Sequence, residues 1–308
     1  MVSTRLHPLS KTDRKMKTNL SRIKNLTPWD LLVYWIRERE SIRLNKEKQA
    51  PRPWTKDPIL AKYRFCNVRR EDDRVTQWVR HNWRAAYGAE EDVWFAMAVA
   101  RFINWPDSLA KITPLPWNPA RVKNLIKHRK SEGLKVWTSA YMIATNGKPN
   151  IEKGEYVVDY ILTPLWKARK RLRPKKRDSL ESYSALFKGM NGLGSFMIGQ
   201  IIADTKRCDP NLAPDVTPDW FSWATPGPGS RRGMNRLHRR HPKTNQTIAS
   251  WKQELDEVRA FLASMSIELD GQDVQNCLCE FDKYCRTLYQ EGKPRQKYTP
   301  SMPDNYDC

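Results

Sequence analysis

The chain has 308 residues, a hydrophobic content of 39% and a formal net charge of +21. Its 13 Trp, 11 Tyr and 8 Phe residues exclude a disordered protein, since disordered chains are poor in aromatic residues. The longest apolar run, residues 93–103, is too short to cross a bilayer and contains Arg101. The basic N-terminus lacks the apolar stretch of a signal peptide, and the Cys residues are irregularly spaced. We therefore expect a cytoplasmic protein without a membrane partner.

Helical patterns dominate the sequence after a basic N-terminal segment. Residues 1–24 are expected to form a mobile basic arm, after which Thr27 and Pro28 resemble the N-cap and first residue of a helix. Asp57 and Pro58 predict a second helix start. Apolar residues recur at helical spacing in residues 68–86, 91–104, 119–132, 180–188, 196–206, 247–264 and 272–289. Alternating patterns are scarce. Residues 156–161 are the best strand candidate and are also compatible with a helix, and at most a short hairpin is expected near 144–158. The predicted fold class is all-α.

Positive charge is concentrated in residues 5–24, 167–177 and 231–243. Lys and Arg side chains that meet phosphates release bound counterions, which gives affinity for nucleic acids of any sequence. These segments therefore predict a nucleic-acid partner, with a solvated surface or an anionic-lipid patch as the alternative. The predicted DNA contacts in the second segment are Lys167, Arg169, Lys170 and Arg171.

Residues 189–206 contain a Gly-Leu-Gly turn between two predicted short helices. This arrangement resembles the helix-hairpin-helix element of DNA-repair glycosylases, in which backbone N–H groups at a helix N-terminus bind a DNA phosphate. The predicted phosphate contacts here are Asn191, Gly192, Gly194 and Ser195. An ordinary turn between two helices is the alternative.

Two carboxylates follow this turn, and either is a candidate for acid–base chemistry. Asp215 and Asp219 lie 21 and 25 positions after Gly194. In the glycosylases that the turn resembles, an Asp at a similar distance lies at the mouth of the base pocket. A helix N-cap is the alternative role for Asp219. Ile198 occupies the region where lyase-type glycosylases carry a Lys, which argues against Schiff-base chemistry.

A segment rich in Gly, Ser and Arg comes next, at residues 227–236. Guanidinium groups and backbone N–H groups are the donors that bind phosphate oxygens, so the segment is a candidate phosphate cradle. A rigid basic loop that contacts only the DNA backbone is the alternative. The candidate residues are Gly227, Gly229, Ser230, Arg231, Arg232 and Asn235.

Residues 65–76 combine carboxylate, amide, hydroxyl and guanidinium groups. If this segment is helical, Arg69, Asp73 and Thr76 share one stripe, and Asn67 and Arg70 share a neighbouring one. Such a face suits a general base flanked by phosphate-binding groups. A surface helix with salt bridges is the alternative.

Residues 273–286 form the last candidate segment, with Glu280 on its polar side. Cys279 and Cys285 do not have the spacing of zinc or iron–sulfur motifs, so we expect core thiols and no metal. Glu280 is retained as a candidate carboxylate.

Four segments, residues 65–78, 186–194, 219–237 and 273–286, together resemble the alpha-glutamyl/putrescinyl thymine pyrophosphorylases of bacteriophages, or amino acid:DNA transferases. This family is related to the helical domain of 5-hydroxymethyl-deoxyuridine DNA kinases. The resemblance covers about residues 28–298 and implies a helix-hairpin-helix, DNA-glycosylase-like fold. We expect a single catalytic domain at 25–298, with two lobes around a cleft, and a tail at 299–308.

The resemblance implies a reaction on double-stranded phage DNA in the cytoplasm of an infected bacterium. A partner DNA kinase makes 5-pyrophosphoryloxymethyl-deoxyuridine, and the transferase replaces pyrophosphate with the amine of an amino acid or polyamine, after base flipping. The base is expected to be Asp219, then Asp73, then Asp215 or Glu280. Arg69, Arg70, Arg231 and Arg232 are candidates to bind the departing pyrophosphate.

Several features of this activity are left open by the sequence. No cofactor is predicted, and no sequence feature supports Mg²⁺. The amine donor is not identified, and both stepwise and direct displacement are compatible with the residues. A DNA glycosylase, or a DNA-binding accessory of the kinase, is the alternative function. The chain itself contains no P-loop motif, which argues against kinase activity.

Overall fold

The computed structural model describes residues 20–138, 151–294 and 296–298. These residues are mainly helical, and their one β feature is an isolated bridge between Tyr63 and Lys297. The prediction of an all-α fold class is therefore confirmed. The α-helices are α1 Pro28–Glu47, α2 Pro58–Lys62, α3 Arg74–Val79, α4 Ala85–Tyr87, α5 Val93–Phe102, α6 Pro106–Leu109, α7 Pro119–Ser131, α8 Lys153–Glu155, α9 Thr163–Lys167, α10 Arg169–Leu172, α11 Leu180–Ala185, α12 Ser195–Thr205, α13 Pro228–Leu237, α14 Ile248–Ser264 and α15 Gly271–Leu288.

Helix starts follow the capping residues in the sequence. The Thr27 side chain accepts a hydrogen bond from the Asp30 backbone N–H, and Pro28 is the first residue of α1. Asp57 caps α2 in the same way and precedes Pro58. A proline suits this position because a first-turn N–H would have no partner within the helix. Both predicted starts are confirmed.

Two predicted elements differ from the structure. The strand candidate is a π-helical segment, Tyr156–Leu162, whose buried faces pack in a helical core where no neighbouring strand is available among the described residues. The predicted helix at 68–86 begins only at Arg74, after a 3₁₀ turn at Arg70–Asp72, and passes through a π-helical segment at Arg80–Arg84. The N-terminal part of the predicted hairpin, 144–150, lies outside the described residues.

The predicted arm also differs at its end. Residues 20–24 are helical, and Ile23 is buried with only 3% of its surface exposed. Residues 1–19 and the predicted tail, 299–308, lie outside the described residues. No helix in the described ranges is long and apolar enough to span a membrane.

The chain divides into two compact units. Within the described residues, unit 1 comprises 20–68, 227–268, 273–294 and 296–298, and unit 2 comprises 69–138, 151–226 and 269–272. Each unit has its own buried apolar side chains.

The core of unit 2 surrounds α5, which is buried on every face. Trp94 and Phe95 in this helix make edge contacts with Phe187 and Trp117, respectively. A helix that is apolar on nearly all sides is stable only when surrounded by protein, which explains why Arg101 is the one charged residue in its sequence. Helix α12 packs against α5 and carries Ile201 into the same core.

The core of unit 1 is built by buried residues of α1, α14 and α15. These helices contribute, among others, Trp35, Trp251 and Phe281, all of them fully enclosed. A buried carboxylate, Asp57, accepts hydrogen bonds from the hydroxyl groups of Tyr34 and Tyr284 at 3.0 and 2.6 Å. These hydrogen bonds offset the free-energy cost of removing the carboxylate from water.

Candidate functional site

A glycine turn joins α11 to α12 in unit 2, as the sequence predicts. Gly192 has φ of +75°, and a Cβ at this position would overlap the Ile161 side chain. Asn191 ties the turn to the π-helical segment Tyr156–Leu162: its Nδ2 donates to the Tyr160 carbonyl oxygen at 2.9 Å, and its Oδ1 accepts from the Tyr156 hydroxyl at 3.2 Å. The turn therefore has a fixed conformation that depends on glycine at position 192.

The N-terminus of α12 is exposed beyond this turn. Gly194, Ser195 and Phe196 are all exposed, and Gly194 provides no side-chain cap. A Cβ at Gly194 would meet nothing within 4 Å. Of the four residues predicted to contact phosphate here, Gly194 and Ser195 face solvent, whereas Asn191 and Gly192 hold the turn in place.

Replacing Gly192 with alanine is expected to destabilise the protein by about 2–4 kcal/mol. The left-handed backbone costs an alanine about 1–2 kcal/mol, and the overlap with Ile161 adds to that cost. The matched control is Gly194→Ala, whose φ of −79° and open surroundings predict a loss of about 1 kcal/mol or less. Urea unfolding of both variants measures the difference, and equal losses would contradict the tight contact at Gly192.

The basic segment at 167–177 contains both paired and unpaired side chains. Arg169 stacks over Trp166 and lies 3.5 Å from Asp92, which also receives a hydrogen bond from Arg173 Nε at 2.8 Å. Arg171 donates to the Leu186 carbonyl oxygen at 3.3 Å, so it supports the turn.

Two lysines of the same segment are differently placed. Lys167 and Lys170 are exposed and have no hydrogen-bond or ion-pair partner among the described residues. They are therefore the two predicted DNA contacts in this segment whose charge is fully available to a ligand.

Asp219 and Asp215 have different surroundings in unit 2. Asp219 accepts hydrogen bonds from the backbone N–H groups of Leu180 and Glu181 at 2.7 and 3.0 Å, so both carboxylate oxygens bind the first turn of α11. Asp215 is exposed, and within the described ranges its carboxylate has no partner. Asp219 thus helps to position a helix, while the Asp215 carboxylate is exposed to solvent.

Asp73 and Thr76 are directly linked. Asp73 caps α3 and accepts hydrogen bonds from the Thr76 backbone N–H at 3.0 Å and from its hydroxyl at 3.1 Å. The Thr76 hydroxyl in turn accepts from Arg101 Nη2 at 3.0 Å. Because Arg69 is extended and precedes the helix, the predicted stripe of Arg69, Asp73 and Thr76 does not form, and that prediction is wrong.

Three arginines surround one buried carboxylate next to Asp73 and Thr76. Asp204 is fully buried and contacts Arg101, Arg84 and Arg70, the last at 3.4 Å. Arg70 also contacts Gln200, so this predicted pyrophosphate ligand is part of an internal network. Burial favours the neutral acid, but the attraction of the three guanidinium groups outweighs it and holds the pKa of Asp204 far below its ordinary value.

Asp204 and its arginines were not predicted as a cluster. A signal was present, since Arg101 and Asp204 each interrupt an apolar helix, α5 and α12. Charged residues in such positions are rarely buried without an opposite charge nearby.

Glu280 and Asn67 lie in unit 1 and are both engaged. Glu280 accepts a hydrogen bond from the Cys66 backbone N–H at 2.9 Å and forms an ion pair with Lys283 at 2.6 Å. Asn67 accepts from Arg39, and its carbonyl oxygen accepts from Asn276 at 3.2 Å. These contacts join the segment at 65–67 to α15 and leave Glu280 little freedom as a base.

The segment at 227–236 is almost entirely helical, so the alternative of a rigid basic loop is wrong. Pro228 is the first residue of α13, and Gly227 and Ser230 bond each other at its start, where the Ser230 hydroxyl accepts from the Gly227 N–H at 2.9 Å. Gly229 is buried against Cys279, so its small size serves helix packing. Asn235 donates to the carbonyl oxygens of Pro242 and Thr244 and is buried.

The cysteines with shifted pKa values are poor nucleophiles. Burial raises the pKa of Cys208 to about 12 and that of Cys279 to about 11. Both thiols are therefore protonated at neutral pH, as expected of core residues. In the described part of the chain, no group of three or more His, Cys, Asp or Glu residues is placed to hold a metal ion.

Comparison with known proteins places the sequence in a family. The family model described as "5-hmdU DNA kinase, helical domain" matches residues 27–294. The 5-hmdU DNA kinase of Bacillus phage SP10 is 26% identical to the chain over 231 residues, which are 68% of this chain and 36% of the relative. The match thus spans little more than a third of that relative's length. No solved structure matches the chain. With most of its length matched by the family model, the chain belongs to the 5-hmdU DNA kinase helical-domain family.

Proposed function

We propose that the chain is a DNA-modifying transferase that replaces the pyrophosphate of 5-pyrophosphoryloxymethyl-deoxyuridine with an amine. The family relation supports a role in thymine modification, because the relative's name refers to a kinase of 5-hmdU in DNA. The observation that carries the proposal is the exposed, unpartnered Asp215, in the segment that follows the glycine turn. Among the described residues, a carboxylate in that position is available to a substrate, unlike the capping carboxylates of Asp73 and Asp219.

The turn between α11 and α12 is proposed to bind the DNA backbone as a helix-hairpin-helix element. The exposed N–H end of α12 at Gly194 and Ser195 is suited to a phosphate, because the helix dipole places partial positive charge there. Lys167 and Lys170 add full positive charges in the same unit. Phe196, 49% exposed in the first turn of α12, offers an apolar contact to a sugar or base.

In the proposed reaction, the activated base leaves the duplex before the amine attacks its 5-methylene carbon. A C–N bond forms, the C–O bond to pyrophosphate breaks, and the departing oxygen takes the electron pair. The attacking nitrogen carries a positive charge as it bonds to carbon, and Asp215 accepts one of its protons, which leaves a neutral amine. The proposed product is an aminomethyl-deoxyuridine adduct, with pyrophosphate released.

The order of candidate bases therefore changes in this proposal. Asp215 comes first, since general-base catalysis requires a carboxylate that reaches the proton it removes. Asp219 and Asp73 bind backbone N–H groups, and Glu280 is paired with Lys283. These three are proposed to support the fold and not to take the proton.

The proposed DNA contact predicts that Lys167→Gln/Lys170→Gln weakens binding to any duplex sequence. The binding constant K falls as salt rises, and each phosphate contact contributes about −0.9 to the slope of log K against log salt concentration. The double variant is therefore expected to make this slope less steep by roughly 2. The control is Lys48→Gln/Lys293→Gln, which removes two exposed charges from unit 1 outside the predicted DNA-binding segments. Fluorescence anisotropy at several salt concentrations measures the slopes, and an equal loss in both double variants would point to net charge alone.

The activity itself is tested on DNA that carries 5-pyrophosphoryloxymethyl-deoxyuridine. The protein is incubated with this DNA and, separately, with glycine, glutamate, putrescine and lysine, and the nucleosides are analysed by mass spectrometry. We expect one amine to give an adduct whose mass equals that of the nucleoside with pyrophosphate replaced by the amine. No adduct with any amine would reject the proposed function.

A further inference from the structure

Helices α13 and α15 of unit 1 approach each other closely along a stripe of glycines. Gly229 lies against Cys279, and a Cβ at Gly233 would overlap the Leu278 carbonyl oxygen. Gly229, Arg232, Gly233 and Arg236 recur at spacings of three and four residues, so they share one face of α13. The glycines permit the contact, and the two arginines on the same face reach α15.

On α15 these arginines meet Asp282, which is buried with 1% of its side chain exposed. Its Oδ1 accepts a hydrogen bond from Arg236 Nε at 2.9 Å, and its Oδ2 accepts from Arg232 Nε at 2.7 Å. Arg286, one turn further along α15, places its own Nε 3.4 Å from the same Oδ2. This last contact is an ion pair without a hydrogen bond, so Asp282 holds two guanidinium groups by hydrogen bonds and attracts a third.

The three guanidinium groups differ in how many N–H donors remain available to a ligand. Arg236 is saturated, because its two Nη atoms bind the Glu291 carboxylate. The side chains of Arg232 and Arg286 are 36% and 37% exposed, and their Nη atoms have no partner within the described ranges. Asp282 and Glu291 offset two of the three positive charges, so the cluster retains a net charge of about +1.

We propose that Arg232 and Arg286 form a phosphate-binding site. The Nε of Arg232 donates to Asp282, and the two Nη atoms of a guanidinium group held in this way remain available as a pair of donors, the geometry that a phosphate oxygen pair accepts. Both groups contact one oxygen of Asp282, Arg232 through a hydrogen bond and Arg286 through an ion pair, so they are neighbours, and Arg232 is already ordered before a ligand arrives. The ligand is a phosphate group, either of free pyrophosphate or of a DNA backbone. This site does not depend on the proposed transferase activity.

Binding measurements on the full chain test the site. Arg232→Gln/Arg286→Gln is titrated with inorganic pyrophosphate by calorimetry and with a duplex oligonucleotide by anisotropy. We expect at least a tenfold loss of affinity for one of these probes, since a charge-assisted hydrogen bond contributes roughly 1.5–3 kcal/mol. A loss for pyrophosphate alone identifies the free anion as the ligand, and a loss for DNA identifies the backbone. Unchanged affinity for both probes would overturn the proposal.

Two further variants separate binding geometry from charge and folding. Arg232→Lys/Arg286→Lys keeps both charges but lacks the paired donors, so it is expected to bind nearly as weakly as the glutamine variant. Arg259→Gln removes a partly exposed arginine elsewhere in unit 1 and is expected to leave both affinities unchanged.

Thermal melts in the presence and absence of pyrophosphate provide a second readout. The wild type is expected to gain stability with the ligand, and Arg232→Gln/Arg286→Gln is not. Equal gains in both would also contradict the site.

Discussion

Replacing Asp215 with asparagine is expected to lower the rate of amine transfer by about 10²–10⁴-fold while leaving the fold intact. Asparagine has the same shape but accepts no proton at neutral pH, so the attacking amine loses its base. The Asp215 side chain is exposed and has no partner in the described part of the chain, so its replacement removes no structural hydrogen bond there. Single-turnover kinetics on pyrophosphorylated DNA measure the rate.

The control for Asp215 must remove a similar charge without touching the proposed site. Glu132→Gln does so, since Glu132 is exposed at the end of α7 in the same unit. It is expected to keep the wild-type rate. If Asp215→Asn also kept that rate, Asp215 would not be the base. If neither protein changed the composition of the DNA, the accessory function would be favoured.

Asp204→Asn is expected to lower the free energy of unfolding by about 3–5 kcal/mol, the largest stability effect that we predict. The substitution removes the negative charge that Arg70, Arg84 and Arg101 share inside unit 2. The three guanidinium groups would remain buried without that charge and would repel one another. Chemical denaturation of both proteins at pH 7 measures the loss.

Asp256→Asn is the matched control for Asp204, because Asp256 pairs with Arg259 at 3.0 Å but is 58% exposed. Solvent screens such a pair, so its loss is expected to cost about 0.5 kcal/mol or less. A similarly small loss for Asp204→Asn would contradict the structural role of the buried cluster.

The low pKa of Asp204 also predicts how stability depends on pH. The folded-state pKa lies below the unfolded value of about 3.9, so the unfolded state binds the proton more readily. The contribution of Asp204 is therefore fully present above about pH 5 and is lost as the pH falls below the unfolded pKa. In Asp204→Asn this part of the acid dependence is expected to be absent, and denaturation at a series of pH values between neutral and acid measures it.

Much of the helical architecture follows from local sequence. Thr27, Pro28, Asp57 and Pro58 determine two helix starts through hydrogen bonds and backbone angles that involve only near neighbours. The periodicity at 119–132 and 247–264 likewise corresponds to α7 and α14 within a residue. Local patterns predict such elements because the cause of each helix lies within its own segment.

The sequence pattern does not settle the conformation of two segments, one because of distant contacts and the other because of a local cap. The residues at 156–162 have β-branched and aromatic side chains that suit a strand, but their burial in a helical core decides the conformation. The helix at 74–79 starts late because the Asp73 side chain caps it, which a periodic pattern alone does not reveal.

The candidate site was predicted less completely than the helices, because the roles of its carboxylates depend on contacts between distant parts of the sequence. The sequence identifies Asp215, Asp219, Asp73 and Glu280 as carboxylates of interest, but it does not indicate which of them bind backbone N–H groups. That distinction depends on contacts such as Asp219 to Leu180, 39 positions away. The sequence also does not show that Gly229 and Gly233 pack against α15, because that helix lies far away in the sequence.

The most direct test of the central claim is the stoichiometry of the products in one reaction. Pyrophosphate, modified nucleoside and free base are quantified together after the protein, activated DNA and the preferred amine are mixed. We expect one pyrophosphate to be released for each aminomethyl nucleoside formed. When the amine is omitted, we expect no pyrophosphate release beyond background. Release of free base without an amine adduct would contradict the transferase and would indicate a DNA glycosylase.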